Sequence, residues 1–247
     1  MARIFITGSA DGLGQLSASS LIKQGHRVVL HARNAERGRD AIQKNPEAES
    51  VLTGDLTSME ATKNLADEVN KLGTFDAVIH NAGVYQAPAK ELFAVNTIAP
   101  YILTCLIQKP KRLIYLSSGM HLQGQFNPDH FKTDSSRITY ADSKLHVVLL
   151  CMAVARKWPD VYANAVDPGW VPTKMGGRGA PGSLEKGYET QVWLAVSHDE
   201  QAKLSGHYFH HKKQVPCLPV AKDAAVQENF LGLCEQITGV RFNEDKS

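Results

Sequence analysis

Short apolar runs rich in β-branched residues alternate along this chain with longer segments in which apolar positions recur every three or four residues. The first run, Arg3 to Thr7, predicts a buried strand. Further runs at Arg27 to His31, Val51-Leu52, Phe75 to Ile79, Lys111 to Leu116, Val161 to Val166 and Gly206 to His210 predict more. Leu13, Leu16, Leu21 and Ile22 mark a helix after the first strand. Met59, Leu65, Ala66, Val69 and Leu72 mark another after the third. Ala89 to Ile107, interrupted by Pro100, reads as a long helix, followed by helices over Ser136 to Trp158, Ser183 to Val196 and Ala221 to Glu235. In the Ser136 segment Val147, Val148, Leu150, Cys151 and Val154 are apolar on several sides, as in a helix covered by sheet and neighbours. Strand alternating with helix six times predicts an α/β fold, a doubly wound parallel sheet flanked by helices in one domain over residues 1–247. No internal repeat, low-complexity tract or linker interrupts it.

Composition narrows the class. With 247 residues, 43% of them hydrophobic and 21% charged, the chain is of ordinary globular enzyme size. A net charge of +2 gives no case for nucleic acid or an anionic membrane. Cys105, Cys151, Cys217 and Cys234 have neither C-x-x-C nor framework spacing and read as small buried residues in a reducing compartment. No signal peptide precedes Ile4, and the longest apolar run, Val147 to Ala155, is too short to span a membrane. The expectation is a cytoplasmic protein. His207, His210 and His211 crowd one segment. On a strand, however, His210 and His211 point to opposite faces and have no acidic or cysteine partner nearby, so surface histidines and no metal site are expected.

The chemistry lies at the strand ends. Thr7-Gly8-Ser9-Ala10-Asp11-Gly12-Leu13-Gly14 joins the first strand to the first helix. That arrangement places a pyrophosphate on backbone amides at a helix N-terminus, although the glycine spacing is G-x-x-x-G-x-G and not the commonest fingerprint. This makes the sheet Rossmann-type. After the second strand, where an acid would hold the adenosine ribose of NAD, stand Arg33 and Asn34. A carboxylate would repel a 2′-phosphate and a guanidinium would grip it, so the reading leans to NADP(H), with NAD(H) still possible. Asp11 could oppose the phosphate, and His31 or Arg37 could share the contact. Asn81-Ala82-Gly83 follows the fourth strand, where open parallel sheets bind ligands. Asn96 falls inside a helix, where asparagine is unfavourable, so it is either exposed or has a task. Ser117-Ser118 ends the fifth strand. Tyr140 and Lys144, four apart on a helix, project from one face. An ammonium about 4 Å from a phenol favours the phenolate by roughly 4 kcal/mol at an effective dielectric near 20, about three pKa units. Such a phenol could pass a proton to or from an alcohol or carbonyl oxygen.

Together, the Thr7–Gly14 turn, Asn81-Ala82-Gly83, Asn96, Ser118, Tyr140-x-x-x-Lys144 and Pro168-Gly169 resemble the short-chain dehydrogenase/reductase superfamily over nearly the whole chain. The wide Ser118–Tyr140 interval and Ser205-Gly206-His207-Tyr208-Phe209 are similar to the branch of retinol dehydrogenases and related carbonyl reductases. The first strand starts almost at Met1, so the membrane association of anchored members, and with it the retinoid substrate, is not carried over. The resemblance implies that Tyr140 is the general acid in reduction and the base in oxidation. Lys144 would depress its pKa and bind the nicotinamide ribose. Ser118 would orient the substrate oxygen, and Asn96 would hold a water linking Lys144 to solvent. It implies further that Gly8, Ser9, Gly12, Leu13 and Gly14 receive the cofactor phosphates. Asp55 and Leu56 would face the adenine, Asn81, Ala82 and Gly83 the adenosine ribose, and Pro168, Gly169, Val171 and Thr173 the nicotinamide end. The expected activity is NADP(H)-dependent hydride transfer between nicotinamide and a small-molecule carbonyl or secondary alcohol, most simply ketone or aldehyde reduction. An NAD(H)-dependent alcohol dehydrogenase, an isomerase, or a non-catalytic nucleotide sensor are the alternatives; a sensor has no use for a tuned phenol. Gly119–Arg137 and Met175–Gly187 are the candidate specificity loops, the latter a glycine-rich candidate lid. Monomer or homo-oligomer is left open.

Overall fold

A computed structural model describes residues 1–132 and 134–246. Seven strands lie parallel: β1 (Arg3–Ile6), β2 (Arg27–Ala32), β3 (Ser50–Thr53), β4 (Ala77–His80), β5 (Arg112–Leu116), β6 (Tyr162–Asp167) and β7 (His207–His210). A short β8 (Lys213–Gln214) pairs antiparallel with β7, and the sheet order is β3-β2-β1-β4-β5-β6-β7-β8. The order reverses between β1 and β4, so a crevice opens there at the strand C-termini. The central strands are buried on both faces because helices cover both. One layer is α1 (Gly12–Lys23), α2 (Ala35–Lys44) and later α8 (Leu184–Val196). The other is α3 (Met59–Lys71), α4 (Ala89–Phe93), α5 (Ala99–Leu106) and α7 (Tyr140–Lys157), backed by α6 (Pro128–Lys132) and α9 (Ala224–Thr238). All four cysteines are free and buried. No helix among the described residues is long and apolar enough to cross a membrane.

Several element expectations change. The long fourth helical segment is not broken by Pro100, which falls in the first turn of α5. The irregularity comes earlier, as a π-helical turn over Ala94–Ile98. The segment expected to be helical from Ser136 begins instead with a separate 3-10 turn, Ser135–Arg137. A capping box then starts α7 at Tyr140: Thr139 Oγ1 accepts from Asp142 N–H, and Asp142 Oδ2 accepts from Thr139 N–H at 2.9 Å. The final helix likewise starts later, at Ala224, because Asp223 caps it. Helix α2, too polar to show an apolar stripe, is started by the Asn34 side chain, which accepts from Arg37 N–H. His210 and His211 do not alternate across a strand: His211 has φ +48°, which ends β7 and brings the two rings into a stack at 3.8 Å.

Candidate active site

The glycine turn is built for close approach. Gly8 has φ +62°, and a Cβ there would lie 2.9 Å from Ala82 Cα. A Cβ on Gly14 would lie 2.4 Å from both Asn81 Nδ2 and the Gly8 carbonyl. The Asn81 amide needs that space, since it donates to the carbonyls of Thr7 (2.9 Å) and Gly8 (3.0 Å). The Thr7 hydroxyl returns the contact by accepting from the N–H groups of Asn81 and Ala82. The ends of β1 and β4 are thereby tied together with the N-terminus of α1 between them. No acidic residue occupies the first turn of α1, which leaves its amides and dipole available to an anion.

A second tie comes from His31, a residue sequence reasoning considered only as a phosphate contact. It is 2% exposed and cannot serve that purpose. Its Nδ1 accepts from Gly8 N–H at 2.9 Å, and its Nε2 faces the Gly54 carbonyl at 2.9 Å. One neutral tautomer satisfies both contacts, and burial holds the ring neutral, with its pKa down at about 4. His31 therefore joins the glycine turn to the loop carrying Asp55 and Leu56. A histidine ending the second strand, level with the turn, was the available signal.

The crevice over this frame is lined by Gly8, Gly12, Leu13, Arg33, Asp55, Leu56, Asn81, Ala82, Gly83, Pro168 and Thr173, and at its inner end by Tyr140 and Lys144. The structure places four other candidates differently. Ser9 is fully buried, donating to the Ile6 carbonyl and accepting from His31 N–H. Gly14 packs beneath Asn81, and Asn34 caps α2. Asn96 is 1% exposed and has the task its position called for. Its Oδ1 accepts from Val84 N–H at 2.8 Å, while its Nδ2 donates to the Val84 carbonyl and to Ser143 Oγ, both at 3.0 Å. The Asn96 side chain is thus a clip between the loop after β4 and α7. The π turn directs it there, since the extra residue rotates Asn96 inward. Asp11 does not stand free to oppose a phosphate: it pairs with Arg37, and with Lys174 at 3.4 Å.

A second cavity of about 720 Å³ adjoins the crevice, within the size range of small-molecule sites. Ser118, Gly169 and Val171 line it, and Tyr140 lines both cavities. Tyr85, Met120, Trp170 and Met175, all exposed large apolar side chains, also line it. Tyr140 meets the Tyr85 ring edge-on at 4.7 Å, and Ser118 lies close enough to act on its phenol. Lys144 is fully desolvated. Its Nζ donates to the Leu116 carbonyl at 3.0 Å and lies 5.5 Å from the Tyr140 ring centroid.

The electrostatics correct one expectation. Burial pushes the Tyr140 phenol up to about 12, only partly opposed by the Ser118 hydroxyl, and Tyr85 and Asp167 add to the rise. The phenol was expected to be driven toward neutrality. Instead the enclosure that brings Lys144 close also removes water from both groups, and burial alone lowers the lysine to about 8.

The family model described as short chain dehydrogenase matches residues 2–110. An uncharacterized oxidoreductase of Emericella nidulans is 45% identical, with 97% of this chain and 98% of that protein covered. The short-chain dehydrogenase chyC of Penicillium rubens is 43% identical over 98% of this chain and 99% of its own length. Among solved structures, an uncharacterized protein of Mycobacterium paratuberculosis aligns with a TM-score of 0.82 at 23% identity, covering 98% of this chain and 95% of that one.

Proposed function

This chain belongs to the short-chain dehydrogenase family of oxidoreductases, and from that premise we propose that it is an NADP(H)-dependent reductase of apolar ketones or aldehydes. The observation that carries the reading is Tyr140, which faces the crevice over the glycine turn and the apolar cavity at once, with Ser118 and Lys144 beside it. A nicotinamide bound in the crevice supplies or accepts a hydride. Glycines 8 and 12 and the N-terminus of α1 would receive its pyrophosphate. Arg33, exposed at the crevice rim, would take a 2′-phosphate.

In the cavity, Ser118 Oγ orients the carbonyl oxygen and Tyr140 delivers a proton to it as negative charge develops. The protonated phenol enters as the general acid of the reduction. Lys144 steadies the phenolate left behind. Tyr85, Met120, Trp170 and Met175 offer the apolar flanks that bind the rest of the substrate. The competing reading, a nucleotide sensor, leaves the cavity and the proton donor without a use.

NADPH consumption with a panel of aryl ketones and aldehydes tests the proposal. Tyr140→Phe should lower turnover by about 10²–10⁴-fold while NADPH affinity stays near wild type. A variant that keeps near-full activity removes Tyr140 from the mechanism; a wild-type protein that binds NADPH yet reduces nothing in the panel favours the sensor.

A further inference from the structure

The apolar cavity contains one carboxylate that the reduction does not use. Asp167 ends β6 and lines the cavity with Ser118, Tyr140 and Trp170. Its side chain is 18% exposed, so it is held in the wall and still reaches the interior. Oδ1 is committed, accepting from Gly169 N–H at 2.9 Å in the turn that follows β6. Oδ2 faces Gly119, where an added Cβ would be 3.1 Å away, so the carboxylate rests against the start of the loop that carries Ser118. Its only ion-pair neighbour among the described residues is His210, whose Nδ1 lies 3.5 Å from Oδ2 but closer, at 3.1 Å, to the Asp167 backbone carbonyl. The nearby Lys174 is paired with Asp11 instead. Oδ2 is therefore an acceptor in the cavity wall, with His210 as its ion-pair neighbour, and a hydroxyl donor of a bound ligand can reach it.

We propose that Asp167 is a specificity residue, and that the substrate is a carbonyl compound with a hydroxyl donor close to the carbonyl, its apolar remainder lying on Tyr85, Met120, Trp170 and Met175. The inference rests on the carbonyl-reductase reading above. Ser118 and Tyr140 hold the carbonyl oxygen from one side, and Asp167 Oδ2 accepts from the neighbouring hydroxyl. A substrate lacking that donor fills the space beside Oδ2 without giving it a partner, so discrimination comes from the hydrogen bond gained and from the acceptor that a bound ether would leave unmatched.

The test uses a matched pair, 2-hydroxy-1-(2-naphthyl)ethanone and its methyl ether, which differ only in the donor. Binding is read from tryptophan quenching with NADP⁺ present, so that no turnover intervenes, and kcat/KM is read separately with NADPH. The wild-type protein should prefer the hydroxy ketone by about ten- to hundredfold in both measurements. Asp167→Asn keeps the acceptor for Gly169 N–H and hence the turn; it should reduce that preference about tenfold while the methyl ether binds as well as before or better. Equal treatment of the pair by the wild type, or equal losses for both ketones in Asp167→Asn, overturns the assignment and leaves carbonyl reduction standing. Selective binding without reduction of either ketone upholds Asp167 and overturns the reductase reading instead.

Discussion

At the scale of single residues, burial decides which groups can act. Arg33 is an exposed cation of the crevice, Lys174 at the rim reaches Asp11, Arg37 is engaged with Asp11 and His31 is enclosed. A hydrogen bond to a charged group is worth about 1.5–3 kcal/mol, so Arg33→Ala should raise the KM for NADPH by roughly ten- to hundredfold and leave NADH nearly unaffected. Arg33→Asp should reverse the preference; equal use of the two cofactors by the wild type would remove Arg33 from the 2′-phosphate. Lys144 makes a pH prediction. Desolvation lowers it to about 8 from 10.5, so the ammonium that steadies the Tyr140 phenolate is lost as pH rises through about 8. The kcat/KM for reduction should be level below that point and decline above it. For stability, a depressed lysine means that the folded chain binds fewer protons than the unfolded one between pH 8 and 10.5. The burial penalty is thus present in full below 8 and relieved as pH rises to 10.5. Lys144→Met should abolish activity yet raise neutral-pH stability, by on the order of 3 kcal/mol, read as a higher melting temperature. A lower one would mean that the hydrogen bond to the Leu116 carbonyl outweighs the desolvation.

At the scale of elements, the segment after Val171 shows that its glycines have two different purposes. A Cβ on Gly176 would lie 2.0 Å from the Val171 carbonyl and one on Gly182 2.5 Å from the Trp170 carbonyl, whereas Gly177 and Gly179 meet nothing. Trp170 Nε1 donates to the Gly176 carbonyl at 2.8 Å, and Gly182 N–H donates to that of Trp170 at 3.0 Å. The segment is therefore folded back on Trp170, against the cavity it was expected to cover. Gly182→Ala should push it outward, raising the substrate KM several-fold with little change for cofactor. If it also acts as a lid, amide exchange over residues 175–182 should slow when cofactor and substrate are bound together. Unchanged exchange would make it a fixed wall.

At the scale of the molecule, α7 carries Tyr140 and Lys144, the proposed catalytic pair, and must be held from behind. Trp158 at its end is fully buried, stacks on Phe242 at 4.6 Å and donates to the Asn243 carbonyl. Tyr101 on α5 donates to the Val240 carbonyl at 2.7 Å. Removing residues 240–247 would expose Trp158 and Phe242's partner surface and leave the Tyr101 hydroxyl unpaired. The loss should be about 3–5 kcal/mol, seen as a lower melting temperature and red-shifted tryptophan emission. An unshifted melting temperature would show that α7 is held by α9 alone.

What the sequence determined by itself was the local order: strand and helix alternation, glycine turn, the Tyr140–Lys144 interval and the absence of a carboxylate at the end of the second strand. These follow from period, propensity and spacing, which act over a few residues. The tertiary structure decided which polar groups face a ligand and which are tied off inside. Ser9, Gly14, Asn34 and Asn96 match the site in sequence, yet their partners are Ile6, Asn81, Arg37 and Val84. The tie made by His31 and the place of Asp167 in the cavity wall were equally hidden, and the phenol of Tyr140 moved opposite to the direction its lysine neighbour implied. The reason is common to all of them. Desolvation and hydrogen-bond satisfaction depend on everything packed around a group, including residues tens of positions away, and no short window of sequence contains that enclosure.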